Sequence, residues 1–169
     1  FVVLSLRGRA GFMMVGALAA SDVYKRTEGT PMVASGVIIF ATDQSIQPVE
    51  LAREVESRGL DSLFLPEHTH IPLDTTSPFF PNGEVPPMYL RTYDPFVALG
   101  ACAAVTDKIK LGTGICLVSQ RHPITLAKEV ATIDQLSDGR FIFGVGAGWN
   151  KPEVENHGTE FSKRWRVLR

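Results

Sequence analysis

The sequence is short of the features that mark several large classes of function. It has only two cysteines, Cys102 and Cys116, both inside apolar runs, and no CxxC pair or Cys/His cluster at metal-ligand spacing. A disulfide scaffold and a zinc site are therefore not expected, and the cysteine usage suits a reducing cytoplasm. Positive charge is not in excess: 17 Lys and Arg against 18 Asp and Glu give a net charge of -1. Such a balance supplies no basic field for gripping phosphate backbones, so nucleic acid is not an expected partner. No stretch approaches the ~18 to 20 consecutive apolar residues of a membrane span, and no membrane association is expected. What remains is an ordinary globular composition, 44% apolar and 21% charged, able to bury a core. The expected partner is a small molecule.

Residues 1–31 do not follow the pattern of the rest. Arg7 and Arg9 precede an apolar stretch from Gly11 to Ala20, and Ala17-Leu18-Ala19-Ala20 is similar to a small-residue cleavage site. The stretch is a marginal apolar core for a secretory signal. The alternative is an upstream extension ahead of a domain that starts near Met32 or Val33. The chain thus divides into an N-terminal extension, 1–31, and a domain over 32–169.

From Gly36 onward, short β-branched runs alternate with stretches of helical period, the signature of βαβ units and a parallel sheet. The first strand reads Gly36 to Ala41, followed by a helix that Pro48 opens and Gly59 ends. Leu60 to Pro66 is the second strand. A long connection then runs from Glu67 to about Thr92 with five prolines, among them Pro86 and Pro87. That proline density predicts neither regular helix nor central strand, and the length suggests a lid or binding loop. Asp94-Pro95 starts the second helix as N-cap and first-turn proline, with Phe96, Leu99, Ala103 and Val105 inward. Ile109 to Ile115 is the third strand, and His122-Pro123 opens a third helix carrying Leu126, Ala127, Val130, Ile133 and Leu136 at helical spacing. Asp138-Gly139 turns the chain into a fourth strand, Arg140 to Val145.

Four βα units at a spacing of roughly 35 residues amount to about half of a (β/α)8 TIM barrel of ~250 residues. An open doubly wound sheet has the same rhythm. Polar and glycine-rich clusters follow each strand at its C-terminal end, Thr42-Asp43, Glu67-His68, Gly112 to Cys116 and Gly146 to Asn150, and favour the barrel, whose chemistry gathers at that face. Four units alone leave two unpaired sheet edges, so the isolated chain is expected to be unstable or to associate.

Three segments carry a more specific resemblance. They are Pro48 to Ala52 leading through Gly59-Leu60-Asp61-Ser62-Leu63-Phe64-Leu65-Pro66-Glu67-His68; Ile109 to Ile115; and Leu136-Ser137-Asp138-Gly139-Arg140 to Gly144-Val145-Gly146-Ala147-Gly148-Trp149-Asn150. In residues, order and spacing the chain from Gly36 to Arg169 resembles the luciferase-like oxidoreductases. Glu67-His68-Thr69-His70-Ile71-Pro72 is most similar to members that use deazaflavin coenzyme F420 in actinobacteria. The resemblance implies a barrel with the cofactor ring across its C-terminal mouth, resting on a bulge after the third strand. In relatives that bulge holds a non-proline cis peptide, which falls near Gly114-Ile115 here. It implies hydride transfer between F420 and a small organic substrate, the alternative being an FMN-dependent monooxygenase, and a homo-oligomeric parent.

His68 is the leading catalytic candidate. Its imidazole titrates near neutral pH and can give or take a proton during hydride transfer, and relatives place their active-site histidine here. The plain alternative is a histidine that only hydrogen-bonds the next loop. Glu67 is expected either to orient His68 or to be a solvated strand-end charge. His70 is expected to line the loop against cofactor or substrate. Gly112, Thr113, Gly114, Ile115 and Cys116 would bring bare backbone to the cofactor, or mark a bulge only. Cys116 reads better as a packed residue than as a redox group. Gly146, Ala147, Gly148 and Trp149 form the other cofactor-side segment, with Trp149 as pocket wall or plain core. Arg121 and His122 are candidate contacts for an anionic tail, or surface charge. Lys163, Arg164, Arg166 and Arg169 read as a solvated helix face without a role. A third reading, a phosphate-binding isomerase barrel, needs an anion site after its seventh and eighth strands, which this chain does not contain. A catalytically silent barrel fragment is the reading from another class.

Overall fold

The computed structural model describes residues 2–5, 34–77, 80 and 83–168. Apart from 2–5, the extension with its signal-like stretch, and the domain start at 32 or 33, lie outside the described residues. The strands are β1 (Val2–Ser5), β2 (Gly36–Ile38), β3 (Ser62–Leu65), β4 (Lys110–Thr113), β5 (Cys116–Leu117) and β6 (Phe141–Gly146). The helices are α1 (Pro48–Ser57), α2 (Pro87–Arg91), α3 (Pro95–Ala103), α4 (Pro123–Leu136), α5 (Lys151–Asn156) and α6 (Arg164–Val167).

Local signals set the helix ends. Pro48 occupies the first turn of α1. Beyond Arg58, Gly59 turns left-handed at φ 71°, and Leu60 N–H reaches back to Val55 O at 3.1 Å while Gly59 N–H reaches Glu56 O at 3.0 Å. That paired closure is the Schellman cap that glycine favours. Asp94 caps α3 through its carboxylate, which accepts from Phe96 N at 2.9 Å and Val97 N at 3.0 Å. Asp138 and Gly139, at φ 52° and 71°, end α4 and return the chain to β6.

The sheet runs β1-β6-β4-β3-β2, with β5 also on β6. Pairs β2/β3, β3/β4, β4/β6 and β5/β6 are parallel, as crossover helices require. Its helix-covered face forms the core around Leu63, Leu99, Leu111 and Phe141, each at most 1% exposed, and burying a side chain of that kind contributes about 1.5–3 kcal/mol.

Among the described residues the sheet is open, as four βα units alone leave it. Several other expectations need correction. One of the two edges expected to be bare is covered, because β1 lies antiparallel on β6 with Val2 opposite Val145 and Ser5 opposite Ile142. The third strand is not continuous: it breaks at a cis peptide between Gly114 and Ile115, and β5 resumes on β6 alone. The proline-rich connection does hold a helical turn, α2, because Pro86 sits at its N-cap and Pro87 in its first turn, where a missing N–H costs nothing. Leu136 is 62% exposed, and Ala127 is exposed too, so the buried stripe of α4 is only Leu126, Val130 and Ile133.

Candidate functional site

A pocket of about 330 Å³ opens at the C-terminal ends of the parallel strands. Each wall follows a different strand: Phe40 after β2, Pro66, Glu67 and His68 after β3, Gly114 and Ile115 after β4, and Gly146 to Trp149 at and after β6. Tyr89 from α2 and Trp165 from α6 complete it. The lining is aromatic, aliphatic or bare backbone except around His68 and Glu67.

His68 lies among rings. Its centroid is 5.0 Å from that of Tyr89 and 5.7 Å from that of Trp149, which meets it edge-on, with Phe40 stacked at 6.4 Å. Its Nδ1 is 2.8 Å from Glu153 Oε2, and Glu153 is fully buried. The other carboxylate oxygen accepts the Thr69 backbone N–H at 3.0 Å. Thr69 Oγ1 then joins a more exposed polar group: it contacts His70 Nδ1 at 3.0 Å and His157 Nε2 at 2.8 Å, and donates to Gln120 Oε1 at 3.2 Å. Partial burial, then the neighbouring His70, hold the His157 imidazole below its ordinary value.

Glu67 does not orient His68. Its Oε2 accepts the Leu117 N–H at 2.7 Å and its Oε1 accepts Arg121 Nε at 2.6 Å, with Arg121 Nη2 on the same oxygen. Arg121 also reaches Asp94 at 2.5 Å and Glu129 at 3.0 Å and covers the Phe96 ring at 4.6 Å. Three carboxylates occupy its guanidinium, so it is not the free anionic-tail contact expected for it. His122 is exposed at the start of α4.

The other cofactor-side candidates separate in the same way. Gly114, Ile115, Gly146, Ala147, Gly148 and Trp149 line the pocket. Thr113, Cys116 and His70 do not. Thr113 is buried and its hydroxyl donates to Gly144 O at 2.7 Å. Cys116 is fully buried, and burial, then the Glu67 charge, push its thiol far above the ordinary range, which leaves a packed, unreactive side chain. His70 faces His157 and Asn156 instead, with Nε2 3.0 Å from Asn156 Nδ2. Gly112 is buried under the Phe64 ring, where an added Cβ would come within 2.4 Å of it. Arg164, read as solvated, anchors α6 to the rim through Gly148 O at 3.1 Å and Phe161 O at 2.8 Å.

Sequence reasoning missed Glu153, Tyr89, Phe40 and Trp165 as site residues. Glu153 alone had a usable signal, as the carboxylate in the first turn of the helix that follows a glycine-rich strand end.

The sequence profile described as luciferase-like monooxygenase matches residues 31–169. An uncharacterized protein of Mycobacterium tuberculosis is 44% identical over 137 residues, which cover 79% of this chain and 49% of that protein. The chain thus spans about half the length of this curated relative. Among solved structures, the coenzyme F420 dependent tetrahydromethanopterin reductase from Methanopyrus kandleri matches with a TM-score of 0.54 and 28% identity, over 78% of this chain and 31% of that one. The oxygenating constituent of 3,6-diketocamphane monooxygenase from Pseudomonas putida, in complex with FMN, matches with a TM-score of 0.61 and 21% identity, over 79% and 36%, a likeness of fold. The strand-end pocket, the rhythm of βα units and these matches agree: the chain belongs to the luciferase-like monooxygenase family.

Proposed function

We propose that this chain supplies the N-terminal part of an oxidoreductase site that exchanges hydride between deazaflavin coenzyme F420 and a small organic substrate. The observation that carries this reading is a single imidazole, His68, backed by a fully buried carboxylate at 2.8 Å, in a pocket whose other walls, Glu67 apart, are rings, aliphatic side chains and bare backbone. The residues fit a flat heteroaromatic ring. Phe40, Tyr89 and Trp149 supply apolar faces, and Gly114, Gly146 and Gly148 present bare backbone to the pocket.

When bound, the deazaflavin supplies the hydride chemistry. The chain's residues do the rest. The backbone on either side of the Gly114-Ile115 bond forms one wall, the aromatic side chains exclude water, and His68 gives or takes the proton that accompanies hydride movement. The F420 dependence named for the Methanopyrus reductase supports the choice of cofactor. The alternative, an FMN-dependent monooxygenase, is supported by the family description and by the FMN complex of the Pseudomonas fold relative. We further propose a homo-oligomeric parent enzyme in a reducing cytoplasm. Two free buried thiols suit such a compartment.

Titration of the protein with F420 and with FMN, followed by cofactor absorbance and fluorescence, tests the reading. The expected result is saturable F420 binding that His68→Ala weakens or spectrally alters. Saturable binding of FMN alone would favour the monooxygenase, and binding of neither in the chain or in a longer protein that carries it refutes both.

A further inference from the structure

The two oxygens of Glu153 face donors that differ in kind. Oε1 receives the Thr69 backbone N–H at 3.0 Å, a donor that can never become an acceptor, with the Thr69 hydroxyl, which has other partners, at 3.4 Å. Oε2 faces His68 Nδ1 at 2.8 Å, and an imidazole nitrogen is a donor or an acceptor according to its tautomer. An ionised carboxylate only accepts. With no solvent exposure at Glu153, water does not stand in for either partner, and an unanswered lone pair or N–H there is costly.

We propose that Glu153 is the positioning residue of the site: it holds His68 as the Nδ1–H tautomer and leaves Nε2 as the nitrogen that exchanges a proton with substrate or cofactor. The inference rests on the reading of His68 given above only for what the ring does to a ligand, since the tautomer follows from the protein's own contacts. It assigns Glu153 the role that adjacency in sequence suggests for Glu67, and the separation of 85 residues between the partners hides it from any local pattern. The arrangement resembles the carboxylate partners that fix ring orientation and tautomer at other histidine sites.

The arrangement also predicts how glutamine will fail. A glutamine at 153 keeps one oxygen and gains one donor. The Thr69 N–H takes the oxygen, because it has no alternative state, and the amide NH2 then faces His68 Nδ1. The ring must become the Nε2–H tautomer or give up the contact. Aspartate keeps both oxygens on a side chain one methylene shorter, so Glu153→Asp should preserve the tautomer in part.

Two-bond 15N–1H correlation spectra of the 15N-labelled chain, with His68 assigned by its loss in His68→Gln, read this without any cofactor. With the ring neutral, the expected spectrum has Nδ1 in the protonated range and Nε2 in the unprotonated range. Glu153→Gln should reverse or average that pattern, and Glu153→Asp should restore much of it. A wild-type spectrum showing Nε2–H, or an even mixture, would overturn the proposal even if Glu153→Gln fails to fold, as would a folded Glu153→Gln with an unchanged spectrum. A chain that shows the Nδ1–H tautomer but binds no deazaflavin would refute the function above and leave this inference standing.

Discussion

Replacing Arg121 by methionine tests whether the Glu67–Arg121 contact is structural. Methionine keeps an unbranched apolar stem and removes the guanidinium, the group that lies over the Phe96 ring. Glu67, whose side chain is 1% exposed, then retains only the Leu117 N–H at 2.7 Å, while Asp94 and Glu129, at 43% and 33% exposure, turn to water. Removing one partner of a buried pair leaves an uncompensated charge and costs about 3–5 kcal/mol. The cation–ring contact with Phe96 adds about 0.5–2 kcal/mol. For a chain of 169 residues, each kcal/mol lowers Tm by roughly 2–4 °C, so a drop of about 6–20 °C is expected from the lost pair alone. Glu67→Gln should cost much less: glutamine still accepts from Leu117, and Arg121 keeps its other two carboxylates. The double variant should sit well above the sum of the two losses, because the stranded charge has gone. Thermal melts followed by circular dichroism, with urea titration as a second measure, read all three. A loss under about 1 kcal/mol in Arg121→Met, the ordinary size for an exposed ion pair, would refute the argument.

Gly144→Ala should destabilise at or above the top of the usual 1–3 kcal/mol range for overpacking, because a Cβ there would meet the Thr113 carbonyl oxygen at 2.2 Å and backbone cannot step aside. Gly100→Ala, within α3 and with nothing inside 4 Å, should instead raise stability by about 0.5–1 kcal/mol; the two melts together check the steric account. Burial pushes the Cys102 thiol up from 9.0 to about 11, so the thiol favours folding in its neutral form. That contribution is complete below the unfolded value near 9 and is lost as pH rises through about 11. Urea titrations across that window should show the wild type losing stability faster than Cys102→Ala, and parallel slopes would contradict it.

The alternation of strands and helices was legible because it rests on local signals: the Gly59 cap, the Asp94-Pro95 start and the Asp138-Gly139 turn each act within a few residues. Closure was not legible. Whether parallel strands roll into a barrel depends on strands beyond these, and β1 comes from a stretch whose sequence reads as an appendage. The pocket showed the same division. His68 and the glycines at strand ends could be picked out, since each is marked by residue type and position. The sorting of Thr113 and Cys116 away from the pocket could not, because it turns on which face of β4 and of β5 each side chain takes. Tyr89 was hidden by the prolines around it, which suggested loop where Pro86 and Pro87 start a helical turn.

The exchange of roles between Glu67 and Glu153 has a physical origin. On an extended chain neighbouring side chains point to opposite sides, so a residue beside a histidine in sequence is poorly placed to hold its ring. Glu67 and His68 accordingly find partners 54 and 85 residues away. The two buried carboxylates then differ in what they allow. The guanidinium on Glu67 is held above its already high ordinary value by the Glu67 and Asp94 contacts, which outweigh its burial, so that pair keeps its proton at any working pH and can only brace the rim. The imidazole on Glu153 has two ring nitrogens whose donor and acceptor roles can exchange. The ring that faces the pocket is thus held by one buried carboxylate, while the ion network around Arg121 holds the strand end just before it through Glu67.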